Sequence, residues 1–563
     1  MDKIKNLFST NYLAEYALIV SLVCAGGFNE YISCAVSVLI SVFLLIKIIA
    51  KRSFAFNFNL TSTSISVILL GYLISTFYAT DSGMAFIGFL KFIPVLLYLL
   101  LVMQNKSKAE EIVAKLPYIA LVLGLLSLVF MYIPFLSDYF NVADRLAGFF
   151  QYPNTFALFL LVGELTAISK SKLKSFDIII AVILSVILLF TGSRAVLLIA
   201  ILANFILLFF KKGKKIKIIL SLVAALLVIA FVVLLPILRD VEPLLRLVSI
   251  SFSESTFVGR ILYFTDAAPV ILKNPFGVGY MGYYYIQQSI QSGVYSVKYI
   301  HNDILQLAMD IGWIPCLLFL TAVIKSIFSK GKPFGRRVII AVILLHSLFD
   351  FNLQFTAMFF VLLIFMDIDS GKEYIIQKAN VAIVATTAAV GILSAYFAFA
   401  LGASHFGAYE FSDGLYPANT DNKILLLISK DTIAEQNRIA DDIISHNEYV
   451  QLAYSAKARY SYSQGDFEKL IKYKNKLLEI APFAYDEYEE YCYMLIQGSY
   501  MYQQAGDGYS AEYCSKELIK TIDKVDRLTD RLSNLGKIIA DQPKTQLPSD
   551  IIQYAKTLKF ADK

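Results

Sequence analysis

Long apolar runs alternate with short polar connectors up to about residue 400, and then the pattern changes. The runs fall near 12–26, 30–50, 62–80, 83–104, 116–136, 146–169, 176–191, 193–210, 216–238, 303–328, 337–353, 354–368 and 380–401. Most approach the roughly 20 residues that carry a helix across a bilayer's hydrocarbon core. Lipid offers no partner to peptide N–H and C=O groups, so such runs are predicted as helices that satisfy their own backbone. From about residue 430, apolar positions recur at helical spacing among charged and tyrosine-rich positions. The expected fold is all-α: a polytopic membrane protein of about 12–13 transmembrane helices with a soluble helical-repeat C-terminal domain. The expected divisions are a transmembrane domain at 1–401 with a large loop at 239–302, a linker at 402–429 and a helical domain at 430–563.

The connectors add direction. Lys47, Lys51 and Arg52; Lys106 and Lys108; Lys170, Lys172 and Lys174; Lys211, Lys212, Lys214 and Lys215; and Lys330, Lys332, Arg336 and Arg337 all fall on one side if the amino terminus is cytoplasmic. The alternate short connectors hold little more than Arg145 and Arg194. This is the positive-inside asymmetry. It places the 239–302 loop outside the cell and, with an odd number of spans, the tail from Gly402 as well.

Composition agrees. The chain is 57% hydrophobic with a mean hydropathy of +0.63, beyond the usual soluble domain. Its net charge of +6 sits in clusters between apolar runs, which reads as membrane topology rather than nucleic-acid binding. The first apolar run reads as a retained helix rather than a cleaved signal. Five cysteines are too few for a disulfide framework, and free thiols are expected.

In the tail, Ser463-Gln464-Gly465-Asp466-Phe467 lies between two helical patterns, and Pro482 follows the second. The stretch resembles a tetratricopeptide repeat, a helix pair of about 34 residues, with Gly465 at the tight turn. An echo begins at Gln504-Ala505-Gly506-Asp507. An unrelated helical bundle is the alternative.

Ionisable groups inside apolar spans are costly, so each is a functional candidate. Arg145, Arg194, Arg260, His301, Asp303 and Asp350 map to the outer face or its loop, and Lys91, Glu164 and Asp310 lie deeper. Arg194 occupies a turn, Thr191-Gly192-Ser193-Arg194. It is either an interfacial arginine snorkelling to lipid phosphate or a clamp whose planar donor fork suits phosphate oxygens. Arg260 precedes Asn274-Pro275-Phe276-Gly277-Val278-Gly279, where glycines allow close backbone approach to a ligand; it is either part of that ligand site or a solvated loop arginine. His301, one of four histidines, opens His301-Asn302-Asp303. The cluster is either a helix cap by Asn302 or Asp303, or a base able to take a hydroxyl proton. His346 and Asp350 are four apart, which predicts a hydrogen-bonded pair on one helix face. No Walker loop appears, and no Asp-x-Asp stands in a soluble domain, so neither ATP nor a cytosolic nucleotide sugar is an expected substrate.

Taken in order, Arg145-Leu146-Ala147-Gly148 with Tyr152-Pro153-Asn154, Thr191-Gly192-Ser193-Arg194, Gly259-Arg260 with Pro275-Phe276-Gly277-Val278-Gly279, His301-Asn302-Asp303 with Asp310-Ile311-Gly312, and His346 through Asn352 resemble the O-antigen ligase and polymerase superfamily. Tyr263 departs from the pattern, standing where relatives often carry tryptophan. The resemblance implies an inverting, metal-independent glycosyltransferase without cofactor. It implies a polyprenyl diphosphate-linked glycan donor and a glycan, lipid or protein acceptor. Arg194 and Arg260 would bind the diphosphate and His301 would activate the acceptor hydroxyl, with Arg145, Asp303, Asp310, His346 and Asp350 in support. Asp303 or Asp310 would orient the histidine or cap its helix. The setting implied is a bacterial cytoplasmic membrane, with a possible protein partner for the tail. A polymerase extending lipid-linked repeats, a lipid-linked glycan transporter and a tethered scaffold are the rival readings.

Overall fold

The computed structural model describes residues 10–210, 255–377 and 381–561. The expected span near 216–238 lies outside the described residues. The described chain is helical throughout, with two small two-stranded sheets, as the all-α polytopic reading requires.

The elements run α1 (Leu13–Val23), α2 (Glu30–Lys51), β1 (Ser53–Phe58), α3 (Leu60–Ser75), α4 (Ser82–Met103), α5 (Lys108–Phe130) and α6 (Pro134–Phe140). Then come β2 (Asn141–Val142), β3 (Arg145–Leu146), α7 (Pro153–Ile168), α8 (Ser175–Phe190), α9 (Arg194–Phe210), α10 (Ser255–Lys273) and α11 (Gly282–Ile290). They continue with α12 (Asp303–Ile311), α13 (Trp313–Phe328), α14 (Phe334–Ser347), α15 (Thr356–Phe365), β4 (Lys372–Gln377) and α16 (Val381–His405). The tail holds α17 (Tyr409–Leu415), α18 (Thr420–Ile428), α19 (Ile433–His446), α20 (Gln451–Ser463), α21 (Phe467–Ile480), α22 (Tyr485–Gln504), α23 (Gly508–Asp526) and α24 (Ser549–Ala561). Among the described residues, α2, α4, α5 and α16 are each long and apolar enough to cross a membrane.

Two compact units form. The first is Met1–Leu73, Ile87–Ser251 and His301–Gly402, and the second is Ile74–Phe86, Phe252–Ile300 and Ala403–Lys563.

In the first unit, α7 is buried at every position but Asn154, and α15 at every position. A helix that is apolar all round belongs in a core rather than at a lipid face. At 1.5 Å per residue, α15 is about 15 Å long, half of a bilayer's hydrocarbon thickness. The run expected as a span at 354–368 is therefore a short core helix. Three other boundaries also move. Helix α5 begins at Lys108 rather than 116, because Lys108 and Lys115 both reach Glu15 of α1, at 2.8 and 2.7 Å, and the charged turn is paired. Helix α7 starts at Pro153 rather than 146, proline being preorganised for a first helical turn. The expected span 303–328 breaks at Gly312 (φ 83°, ψ 178°), a backbone state that glycine adopts without penalty.

Basic connectors gather at one end of this unit. Lys332 donates to the Met366 carbonyl at 2.9 Å and Arg336 to that of Ile364 at 3.1 Å, so cations meet the negative end of the α15 dipole. Arg336 also pairs with Glu110, and Lys170 with Asp177 at 2.6 Å. A Cβ on Gly335 would lie 2.3 Å from Ser169, which sets the α14 start beside the Lys170 connector. Strands β1 and β4 pair antiparallel, Ser53 opposite Gln377.

In the second unit the tail helices form antiparallel hairpins. Gly465 (φ +70°) turns α20 into α21, and Asp466 caps Lys469 N–H at 3.1 Å. Gly506 (φ +78°) and Asp507 do the same between α22 and α23, Asp507 capping Ser510 at 3.0 Å. The segment expected as a linker, 402–429, carries the end of α16 together with α17 and α18. All five cysteines are free thiols.

Candidate active site

The first unit brings together four sequence motifs at the helix ends away from the lysine clusters. Arg145, in β3, acts as a bolt. Its Nε donates to the Thr191 carbonyl at 2.7 Å and its Nη2 to Asn154 Oδ1 at 2.6 Å. One guanidinium thereby ties the start of α7 to the end of α8. The bond to Thr191 also fixes the turn that presents Arg194. Gly192 sits at φ +59°, the half-buried Arg194 is the first residue of α9, and the Ser193 hydroxyl is buried without a hydrogen-bond partner among the described residues. The first amides of a helix carry partial positive charge, so this turn places a guanidinium, a hydroxyl and the positive end of a helix dipole at one point.

Asn154 passes the connection on. Its Nδ2 donates to Asp350 Oδ2 at 2.8 Å, while the Tyr152 hydroxyl donates to Asp350 Oδ1 at 2.9 Å and Phe351 N–H to the same oxygen at 3.0 Å. Asp350 is fully buried. Its Oδ1 lies 3.4 Å from His301 Nδ1, longer than a standard hydrogen bond and within ion-pair range. Catalytic hydrogen bonds are commonly long before substrate binds. His301 is partly exposed, its ring edge-on to Phe351 at 4.9 Å, and its backbone adopts φ +59°, uncommon for a non-glycine residue.

This corrects the His346–Asp350 pair expected from sequence. Helix α14 ends at Ser347, so Asp350 is past the helical spacing and turns toward His301. His346 Nδ1 instead meets Asn352 Nδ2 at 2.9 Å, and Asn352 Oδ1 accepts from Thr155 at 3.1 Å. Nor does Asp303 cap its helix: Asn302 does, its Oδ1 accepting from Ile304 and Leu305 N–H at 3.0 Å each. The Asp303 carboxylate accepts from Leu353 N–H at 3.1 Å with either oxygen, pinning the turn that follows Asp350. Asp310 takes the Tyr72 hydroxyl at 2.9 Å and Gln306 at 2.8 Å, a separate buried cluster. The other deep charges also have partners, Lys91 with Glu30 at 3.8 Å and Glu164 with Asn204 at 2.9 Å.

Arg260 belongs to the second unit, on α10 rather than in an open loop, and is half-buried. Tyr263 is one turn on. Burial pushes its phenol up, and the neighbouring Arg260 guanidinium pulls it back. Its ring lies 4.6 Å from that of Tyr295, whose hydroxyl donates to Asp266 at 2.9 Å. The tail joins here, for Ile539 packs with Leu262 and Tyr295. Gly279 has a packing reason, since a Cβ there would lie 2.3 Å from Ala79. Gly277 (φ +84°) closes a turn onto the Asn274 carbonyl at 2.9 Å.

Residues 179–320 match the family model described as O-antigen ligase. The match covers about a quarter of the chain and includes Arg194, Arg260, His301, Asp303 and Asp310. No curated protein matches the chain. Together with the apolar helices, the match supports a membrane protein of lipid-linked glycan transfer or polymerisation at that level of description.

Two residues bonded to Asp350, Tyr152 and Asn154, carry no charge that would single them out in the sequence. Tyr152 and Asn154 flank Pro153, and their motif was visible as a family resemblance only. Their common target, Asp350, is distant in sequence, so no local periodicity could reveal the contact.

Proposed function

We propose that the protein transfers an oligosaccharide from a polyprenyl diphosphate carrier to an acceptor hydroxyl at the outer membrane face, with inversion at the anomeric carbon. The observation that carries this reading is the chain of contacts from Arg145 through Asn154 and the buried Asp350 to His301. It joins a candidate base to the turn that bears a candidate anion-binding arginine.

In this reading Asp350 faces Nδ1 and favours the tautomer with its lone pair on Nε2, which takes the acceptor's hydroxyl proton. The alkoxide oxygen forms its bond to the anomeric carbon as the bond from that carbon to the diphosphate oxygen breaks. The diphosphate leaves as an anion and needs no protein acid. Arg194 stabilises the departing charge, aided by the buried Ser193 hydroxyl and the first amides of α9, with Arg260 as the second guanidinium by family resemblance. In this reading the lysine-rich connectors face the cytoplasm of a bacterial cell, and this end of the unit faces the extracytoplasmic side.

The test is purified protein with synthetic lipid-linked donor and an acceptor, in detergent and without any ion gradient. Product is expected from the wild type. Arg194→Ala, Arg260→Ala and His301→Ala are each expected to lower the rate by about 10²–10³ while staying in the membrane. Near-normal transfer by all three variants sinks the mechanism.

A further inference from the structure

A cleft of about 600 Å³ lies within the second unit, and part of its wall is the Asn274–Val278 stretch whose glycines were singled out in the sequence. Three separate stretches line it: Tyr78–Thr80, Lys273–Val278 and Glu448–Tyr449. We infer that this cleft is a glycan-binding subsite, in which Tyr78, Phe276 and Tyr449 face sugar rings while Lys273 and Glu448 meet hydroxyl groups. The inference rests on the glycan-transfer reading and extends it.

The lining chooses the ligand class. A pyranose has an apolar face and a hydroxyl rim, which suits aromatic side chains interleaved with charged groups. One lysine and one carboxylate balance, so the cleft lacks the net positive charge a phosphate would require. An acyl or prenyl chain would require an apolar wall instead. The volume is that of ordinary small-ligand sites, about 300–1,000 Å³.

The walls are held before any ligand arrives. The Tyr78 hydroxyl donates to the Phe276 carbonyl at 2.6 Å, and Thr80 N–H to that of Val278 at 3.0 Å. The third wall is fixed by its neighbour Asn447, whose Nδ2 donates to Asp81 at 3.0 Å and whose Oδ1 accepts from Tyr449 N–H at 3.0 Å. Such preorganisation removes ordering cost from binding. Position along α10 also fits. Lys273 ends the helix that bears Arg260, about 20 Å along it at 1.5 Å per residue, far enough for the cleft to take sugars distant from the linkage to lipid.

The experiment uses the full chain in detergent and the oligosaccharide freed by mild acid from the producing cell's lipid-linked glycan. The variants are Phe276→Leu, Glu448→Gln and Lys273→Met, all at exposed positions that leave the core intact. Each is expected to weaken oligosaccharide binding about three- to tenfold, as loss of one contact does. Each is also expected to raise KM for one substrate with kcat near the wild-type value. A raised donor KM assigns the cleft to the donor chain, and a raised acceptor KM assigns it to an acceptor glycan. Unchanged binding and unchanged KM in all three variants overturn the inference while transfer stands. If the wild type makes no product, the transfer reading falls and the binding measurement alone decides the cleft. Binding of sugar-free polyprenyl phosphate, weakened by the same variants, overturns it in favour of lipid.

Discussion

His301 and Asp350 meet at 3.4 Å, and the aspartate oxygen in that contact is the one that also accepts the Tyr152 hydroxyl. A carboxylate shared in this way is held on both sides: Asn154 fixes its second oxygen, and the Phe351 N–H fixes the first. The imidazole is therefore oriented by a group that cannot itself turn. Asp350→Asn keeps the size and removes the charge. It is expected to lower kcat by about 10²–10⁴, the range for positioned acid–base catalysis, with little change in KM. Single-turnover transfer measurements check this, and an unchanged kcat removes Asp350 from the mechanism.

Arg145 and Arg194 carry the same charge and are expected to fail differently. Arg145→Lys cannot reproduce the fork that grips Thr191 and Asn154, and a hydrogen bond from a charged group is worth about 1.5–3 kcal/mol. Lower thermal stability and lower activity should appear together. Arg194→Ala should lower activity with stability close to wild type. Thermal unfolding in detergent beside kcat/KM separates them, and a stable, inactive Arg145→Lys would contradict the bolt.

The tail closes onto the loop through two glycines. A Cβ on Gly536 would lie 2.1 Å from the Ser292 carbonyl, and one on Gly293 would lie 2.9 Å from Gly536 Cα. Ser533 N–H donates to that Ser292 carbonyl at 2.9 Å, and Ser292 in turn bonds Asp266 at 2.7 Å. Gly536→Ala is expected to cost about 1–3 kcal/mol of local stability by overpacking. Limited proteolysis should then cut within 528–548 faster than in the wild type. An unaltered cleavage rate argues against the closure.

Deleting the tail is not expected to leave the loop folded. Thr420 and Asn447 donate to Asp81, Tyr285 donates to Asp421 at 2.6 Å, and Ile539 covers Leu262. Burial raises the Asp81 pKa, and those donors oppose the rise. Truncation after residue 402 should expose amides across 282–300 to rapid hydrogen exchange. Retained protection would show that the loop is self-sufficient.

The apolar runs were enough to establish helices that satisfy their own backbone, because lipid supplies no alternative partner. Lysine placement likewise separated the two ends of the first unit, since charge bias is written in connectors a few residues long. Local chemistry was also legible where its range was short, as at the Gly465 turn. Contacts between distant segments were not. The 354–368 run has a spanning composition, and only its neighbours show it to be a core helix. The His346–Asp350 spacing suggested a pair that the end of α14 prevents, and Asp350 turned to a histidine far back in the chain. Periodicity reports which face of an element is apolar. Which element covers that face, and which buried carboxylate meets which base, is decided by packing among segments whose order in sequence carries no distance information.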